Sequence, residues 1–70
     1  RVGAIAVDPT FIPLGTRMYI LTNDGEYIYG IATAEDIGGS IKGNIIDLYF
    51  NTFDECWIFG IRDCTVYILG

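Results

Sequence analysis

Ala34-Glu35-Asp36-Ile37-Gly38-Gly39-Ser40-Ile41-Lys42-Gly43-Asn44-Ile45-Ile46-Asp47-Leu48-Tyr49-Phe50 is the stretch on which the reading of this chain turns. It sets two aspartates on either side of a glycine-rich segment. Gly38-Gly39 marks one turn and Lys42-Gly43 a second bend, because glycine adopts backbone conformations closed to other residues. From Asn44 to Phe50 the residues alternate with the period of a strand. Ile46, Leu48 and Phe50 share one face and are expected to fill a core. Ile45, Asp47 and Tyr49 share the other, which sets a carboxylate beside an aromatic ring. An aspartate in an otherwise apolar strand is costly unless it is paired, hydrogen-bonded or used.

Toward the N-terminus, Glu26 to Ala34 reads as a strand, with Gly30 marking a bulge or a close backbone approach. Asn23-Asp24-Gly25 predicts a hairpin through a tight primed turn. It joins a strand over Thr16 to Thr22 that sets Met18, Ile20 and Thr22 on one face and Arg17, Tyr19 and Leu21 on the other. Pro13 and Gly15 bracket a turn, and Asp8-Pro9 ends a short apolar strand over Gly3 to Val7. Toward the C-terminus, Thr52 and Glu55 have the spacing of a capping box. They predict a short helix running to Phe59 and stopped at Gly60. Cys64 to Leu69 is a last strand. The chain is therefore mostly β, about five strands and one short helix, in a single domain over residues 1–70. That count suggests a small barrel. Five is one short of a closed six-stranded barrel, and the chain opens abruptly on Arg1-Val2-Gly3. A domain excised from a longer protein is expected, so the absence of a secretory leader says nothing about export.

Charge and composition narrow the chemistry. The net charge is −5, and only four Lys and Arg are scattered along the chain. Nucleic acid and acidic membrane surfaces are poor partners for such a surface. No apolar run approaches the roughly 18 residues that span a bilayer. Half the residues are apolar and the mean hydropathy is +0.41, which excludes a disordered segment. There is no histidine, so Ser–His and Cys–His nucleophile pairs are excluded within this chain. Two cysteines are too few for a four-ligand zinc site. Cys56 and Cys64 either pair in an oxidising compartment or serve as small buried hydrophobes.

Acid–base work then falls mainly to carboxylates. Asp47 leads, because loss of solvation on an apolar strand favours the protonated form that a general acid needs. It equally fits a residue that braces a loop. Asp36 reads as a second carboxylate at a strand end, or as an acceptor for the glycine turn. Asp8 carries the same two readings, with the turn role favoured. Lys42 either pairs with a carboxylate, touches a ligand or stands in solvent. Tyr49 offers a flat face for stacking or plain packing. Ser40 has no histidine to activate it as a nucleophile. A carboxylate-lined cleft with aromatics nearby suits glycan chemistry. Three hard oxygen ligands also suit a divalent cation.

Several spaced segments are recognisable together. Ile5-Ala6-Val7-Asp8-Pro9, Ile12-Pro13-Leu14-Gly15-Thr16 and the stretch Ala34 to Tyr49 closely resemble the 3D domain, a family named for three aspartates. Phe59-Gly60-Ile61-Arg62 and Val66-Tyr67-Ile68-Leu69 resemble that family's ending, so the likeness covers nearly the whole chain. The resemblance implies a small six-stranded double-psi β-barrel, similar to the catalytic barrel of membrane-bound lytic transglycosylase A. It implies cleavage of the β-1,4 bond between N-acetylmuramic acid and N-acetylglucosamine in peptidoglycan, leaving a 1,6-anhydromuramoyl end. No cofactor and no metal enter that chemistry. The three aspartates would be Asp8, Asp36 and Asp47, with Asp47 as acid and then base and the other two in support. Lys42, Gly39, Ser40 and Tyr49 are the corresponding substrate contacts. The implied partners are peptidoglycan glycan strands, with further cell-wall-binding domains in the parent chain and no membrane insertion by this one. The implied location is extracellular or cell wall, in an exported bacterial protein or a phage component. Two departures stand out. Family members carry a strand before the Ile-Ala-Val-Asp-Pro segment, which bears on barrel closure and on one wall of the cleft. Cys56 replaces a small residue, and a bridge to Cys64 would be a local addition. A non-catalytic glycan-binding module on the same barrel and a metal-stabilised interaction domain are the competing readings.

Overall fold

The computed structural model describes residues 2–52, 55 and 60–70. Five strands are present: β1 (Ala4–Val7), β2 (Arg17–Thr22), β3 (Ile28–Ile37), β4 (Asp47–Leu48) and β5 (Cys64–Ile68). They form one sheet in the order β4-β1-β3-β2-β5. β1 and β3 run parallel at its centre, and the other neighbouring pairs are antiparallel. The mostly β architecture is the expected one.

All four residues of β1 are buried, as suits a central strand. β2 alternates as its pattern predicts, with Met18, Ile20 and Thr22 buried. Ile5, Val7, Met18 and Ile20 are fully enclosed, joined by Ile12, Ala32, Ala34 and Leu48, with Ile46, Phe50 and Val66 packed against them. Each large aliphatic side chain so buried contributes about 1.5–3 kcal/mol. Thr22 is polar yet buried, and its hydroxyl is used: it donates to Asp24 Oδ1 (2.6 Å) and accepts the Tyr27 N–H (3.0 Å).

That threonine changes the hairpin. The β2–β3 pair forms as expected, but not through a primed turn. Such a turn needs positive φ at both central residues, and here only Gly25 has it, at 75°. Asp24 instead bends its carboxylate back to the Glu26 N–H (2.9 Å). Pairing therefore starts at Ile28 rather than Glu26. The bulge expected at Gly30 is present: Ile20 pairs with Gly30 and Leu21 with Ile28, leaving Tyr29 as the extra residue, and Gly30 sits at φ 92°.

β3 runs on to Ile37 instead of ending at Ala34, because β1 continues beside it through Val7↔Ile37. Asp36 thus lies inside a paired strand and not at its end. The strand expected over Asn44 to Phe50 shortens to Asp47–Leu48. Before it, the Ile45 N–H bonds to Lys42 O (3.3 Å) and keeps the chain in a turn. The predicted faces hold nonetheless: Leu48 is buried, Ile46 and Phe50 are half-buried against the core, and Ile45 and Asp47 are exposed. The turns at Pro13 to Thr16 and at Gly38 to Ile41 form as expected, closed by Thr16 N–H to Pro13 O (3.2 Å) and Ile41 N–H to Gly38 O (3.1 Å).

β4 and β5 are the two edges of the sheet. The described residues therefore form an open five-stranded sheet, where the resemblance implies a closed barrel of six; closure requires every edge to be paired. Most of the expected helix, residues 53, 54 and 56–59, lies outside the described residues, as does Cys56. The capping pair that should start it is made, with the Glu55 N–H donating to Thr52 Oγ1 (3.1 Å). Cys64 carries a free thiol, and burial pushes that thiol up from its ordinary range, with the Asp63 charge adding. Among the described residues no helix is long and apolar enough to cross a membrane.

Candidate functional site

Register brings Asp36 and Asp47 into one row. Ala6 of β1 pairs with Asp36 of β3 on one side and with Asp47 of β4 on the other. Residues directly opposite one another across strands project from the same face. The three side chains Asp36, Ala6 and Asp47 therefore share a face, and Ile5, Ala34 and Leu48 share the opposite, core-facing one. Two strand spacings, about 10 Å, separate the Cα atoms of the two aspartates.

A second bulge makes this possible. Ile5 pairs with Ala34, but the next residue, Ala6, pairs with Asp36, so Glu35 is an extra residue in β3. Simple alternation would put Asp36 on the same face as buried Ala34. One inserted residue flips the parity and turns Asp36 outward, a use of bulges seen beside active sites.

Tyr49 ties the row together. It lies two residues beyond Asp47, and its hydroxyl donates to Asp36 Oδ2 at 3.1 Å. β1 lies between β4 and β3, so the Tyr49 side chain has to cross β1 to reach Asp36. The strip it crosses is floored by small residues, Ala4 and Ala6, both buried. The Asp36 carboxylate that accepts this hydrogen bond holds the Tyr49 phenol above its ordinary value, and partial burial and the charges of Asp36 and Asp47 add to the effect. Both carboxylates therefore act on the same phenol. Asp47 itself is exposed on its edge strand, so the loss of solvation expected for an aspartate among apolar neighbours does not occur.

Asp8 does different work. Its Oδ1 accepts the Thr10 N–H (3.0 Å) and the Thr10 hydroxyl (2.8 Å), and its Oδ2 accepts the Gly43 N–H (2.8 Å). It anchors the 38–43 loop to the end of β1 across thirty-five positions of sequence. The Gly43 bond, then the Thr10 bonds, then the nearby Lys42 charge hold the Asp8 carboxyl below its ordinary range. Gly43 makes this approach at φ 61°, on the left-handed side that favours glycine. Lys42, Gly39 and Ser40 are all exposed on the loop that Asp8 tethers. Among the described residues no group of three or more Asp, Glu or Cys side chains is placed to hold a metal ion.

Two contributors escape a reading of the sequence. Thr10 satisfies one oxygen of Asp8, and the Asp-x-Thr spacing of Asp8-Pro9-Thr10 is its only signal. Tyr29 packs against the core, and its hydroxyl also donates to Tyr49 O (2.6 Å) and accepts the Gly3 N–H (2.9 Å).

The family model described as the 3D domain matches residues 3–70. The chain is 43% identical over 66 residues to the "Cell wall-binding protein YocH" of Bacillus subtilis (strain 168), a match covering 94% of this chain and 21% of that protein. It is 40% identical over 66 residues to the "Putative cell wall shaping protein YabE" of the same organism, covering 94% of this chain and 15% of that protein. The chain thus spans about a fifth or less of the length of these relatives. No solved structure matches it at a significant level. With the family model covering almost every residue, this chain belongs to the 3D-domain family.

Proposed function

We propose that residues 1–70, acting as one domain, cleave peptidoglycan glycan strands at the bond between N-acetylmuramic acid and N-acetylglucosamine. The observation that carries this reading is the Asp36–Ala6–Asp47 row, with Tyr49 spanning it. Asp47, exposed and at the sheet edge, is the group that meets a bulky polymer. Protonated, it donates to the leaving glycosidic oxygen as the bond from that oxygen to C1 breaks. As a carboxylate, it then takes the proton of the substrate's own 6-hydroxyl as that oxygen bonds to C1, giving the 1,6-anhydro ring. One acid–base group suffices, because the substrate supplies the nucleophile that ordinary glycosidases replace with a second carboxyl or a water. The negative charge of Asp36, aimed by the Tyr49 hydroxyl, favours the oxocarbenium-like transition state. Asp8 supports from further off by holding the loop that bears Gly39, Ser40 and Lys42, the proposed substrate contacts. No cofactor or metal enters.

The finer architecture goes with this reading. A sixth strand pairing along the open edges of β4 and β5 would complete a double-psi barrel and add a wall to the cleft. The cell wall, outside the membrane, is the proposed location, in keeping with the names of the two relatives. Other domains of the parent chain would share the binding.

Those names also favour a second reading, retention on glycan without cleavage. The test is to incubate the intact protein with purified peptidoglycan and identify soluble products by mass spectrometry. Anhydromuramoyl ends support the lytic mechanism, and reducing ends point to hydrolysis. Tight retention with no soluble product supports the binding module and ends the enzymatic reading.

A further inference from the structure

The geometry points to Tyr29 as a positioning residue for the carboxylate face. Its hydroxyl locks the segment that carries Asp47 and Tyr49 onto the start of β1. As a role in catalysis this rests on the glycan-cleavage reading above; as a role in geometry it does not.

The β1–β4 ladder is short. It has two pairs, Ala6↔Asp47 and Ile5↔Leu48, and there it stops. A further antiparallel step would set Ala4 opposite Tyr49. At that point the Tyr29 phenol comes in between, taking the Gly3 N–H on one side (2.9 Å) and giving its own proton to Tyr49 O on the other (2.6 Å). A side chain thus replaces a rung of the ladder. Both partners are backbone groups, so the link fixes the main chain of Tyr49 and leaves its phenol to reach Asp36 (3.1 Å). The result is a continuous run from Gly3 through Tyr29 and Tyr49 to Asp36, closing around the Ala6 row.

Tyr29 is placed for this by its own strand. It is the unpaired residue of the bulge that Gly30 permits at φ 92°, which frees it from ladder geometry. Its ring stands edge-on to Phe50 at 5.5 Å and 83°, which fixes the direction of the hydroxyl. Packing alone asks only for the ring. The two hydrogen bonds ask for the oxygen, and phenylalanine separates these demands.

The experiment compares Tyr29→Phe with the wild-type intact protein. One arm follows the titration of the Tyr49 phenol by NMR with carbon-labelled tyrosine. The phenol is held above its ordinary value by Asp36, so loss of alignment lets it fall back toward that value. The other arm measures release of soluble glycan from peptidoglycan. There the turnover number should drop about tenfold with KM little changed, as expected when reacting groups are misplaced rather than removed. A Tyr49 titration identical to wild type, with unchanged turnover, overturns the proposal. If the wild type releases no product, the cleavage reading fails, and the titration still decides for or against Tyr29. If Tyr29→Phe does not fold, hydrogen exchange at the Gly3 amide of the wild type decides instead: protection supports the link, and free exchange overturns it.

Discussion

Replacing Ala6 by leucine probes the register on which the carboxylate row depends. Ala6 is 4% exposed and stands between Asp36 and Asp47. The Tyr49 side chain passes over β1 to reach Asp36, so the floor beneath it admits a methyl group and little more. An isobutyl group at that point either lifts Tyr49 off Asp36 or drives β4 away from β1. Overpacking of a close-packed site costs about 1–3 kcal/mol. β4 pairs with β1 through just two residues of ladder, so its outward movement is the easier response, and the loss should sit near 1–2 kcal/mol. A domain of 70 residues has about 4–10 kcal/mol of stability in all. A loss of that size lowers Tm by roughly 5–15 °C. Thermal unfolding followed by circular dichroism reads the stability, and NMR titration of the Tyr49 phenol reads the site. The phenol should relax toward its ordinary value in Ala6→Leu and stay raised in Ala6→Ser, which adds only a hydroxyl. A leucine variant with wild-type Tm and an unmoved phenol would refute the reasoning, because Ala6 would then not lie beneath Tyr49.

Two further substitutions test the supports of the site. Gly30→Ala meets no neighbouring atom, yet it forces an L side chain to φ 92°; a loss of about 1–2 kcal/mol is expected in denaturant unfolding, and none would mean the bulge relaxes freely. Asp8→Asn places an amide against the Gly43 N–H or gives up the Thr10 bonds, so it should release the 38–43 loop, read as faster amide exchange at Gly43. The pH dependence follows from the sign of the shift. The folded carboxyl lies below the ordinary 3.8, so its contribution is whole above that value and fades as pH falls from there through the folded value. The Tm gap between wild type and Asp8→Asn should therefore be present at neutral pH and close under acid conditions; a gap that widens on acidification would contradict the assignment.

Strong local alternation made part of this fold readable in advance. Met18, Ile20 and Thr22 face inward as their spacing requires, and Leu48 parts from Asp47 and Tyr49 for the same reason. Gly30 signalled its bulge because its φ leaves little choice of residue. The bulge at Glu35 gave no such sign: Ala34-Glu35-Asp36 holds no glycine, and the extra residue exists only because β1 arrives beside it from thirty positions away. Without that bulge Asp36 would point at the core. The shortness of β4 was hidden for a related reason, since the residue that ends its ladder, Tyr29, comes from another strand. The exposure of Asp47 could not be read from its apolar neighbours either, because it depends on β4 being an edge. The primed turn failed to form because Asp24 and Thr22 found hydrogen bonds that close a longer loop. In the hairpin a competing local hydrogen-bond set won; in the other cases a tertiary partner overrode a local signal.

The central claim is that Asp36 and Asp47 work together on one glycan strand. It is tested most directly by measuring soluble glycan release from purified peptidoglycan by Asp36→Asn, Asp47→Asn and the wild-type intact protein, alongside retention of each on the same material. Release should vanish in Asp47→Asn and fall by a factor of about 100 in Asp36→Asn, while all three proteins stay bound. Release at the wild-type rate in Asp47→Asn would contradict the account.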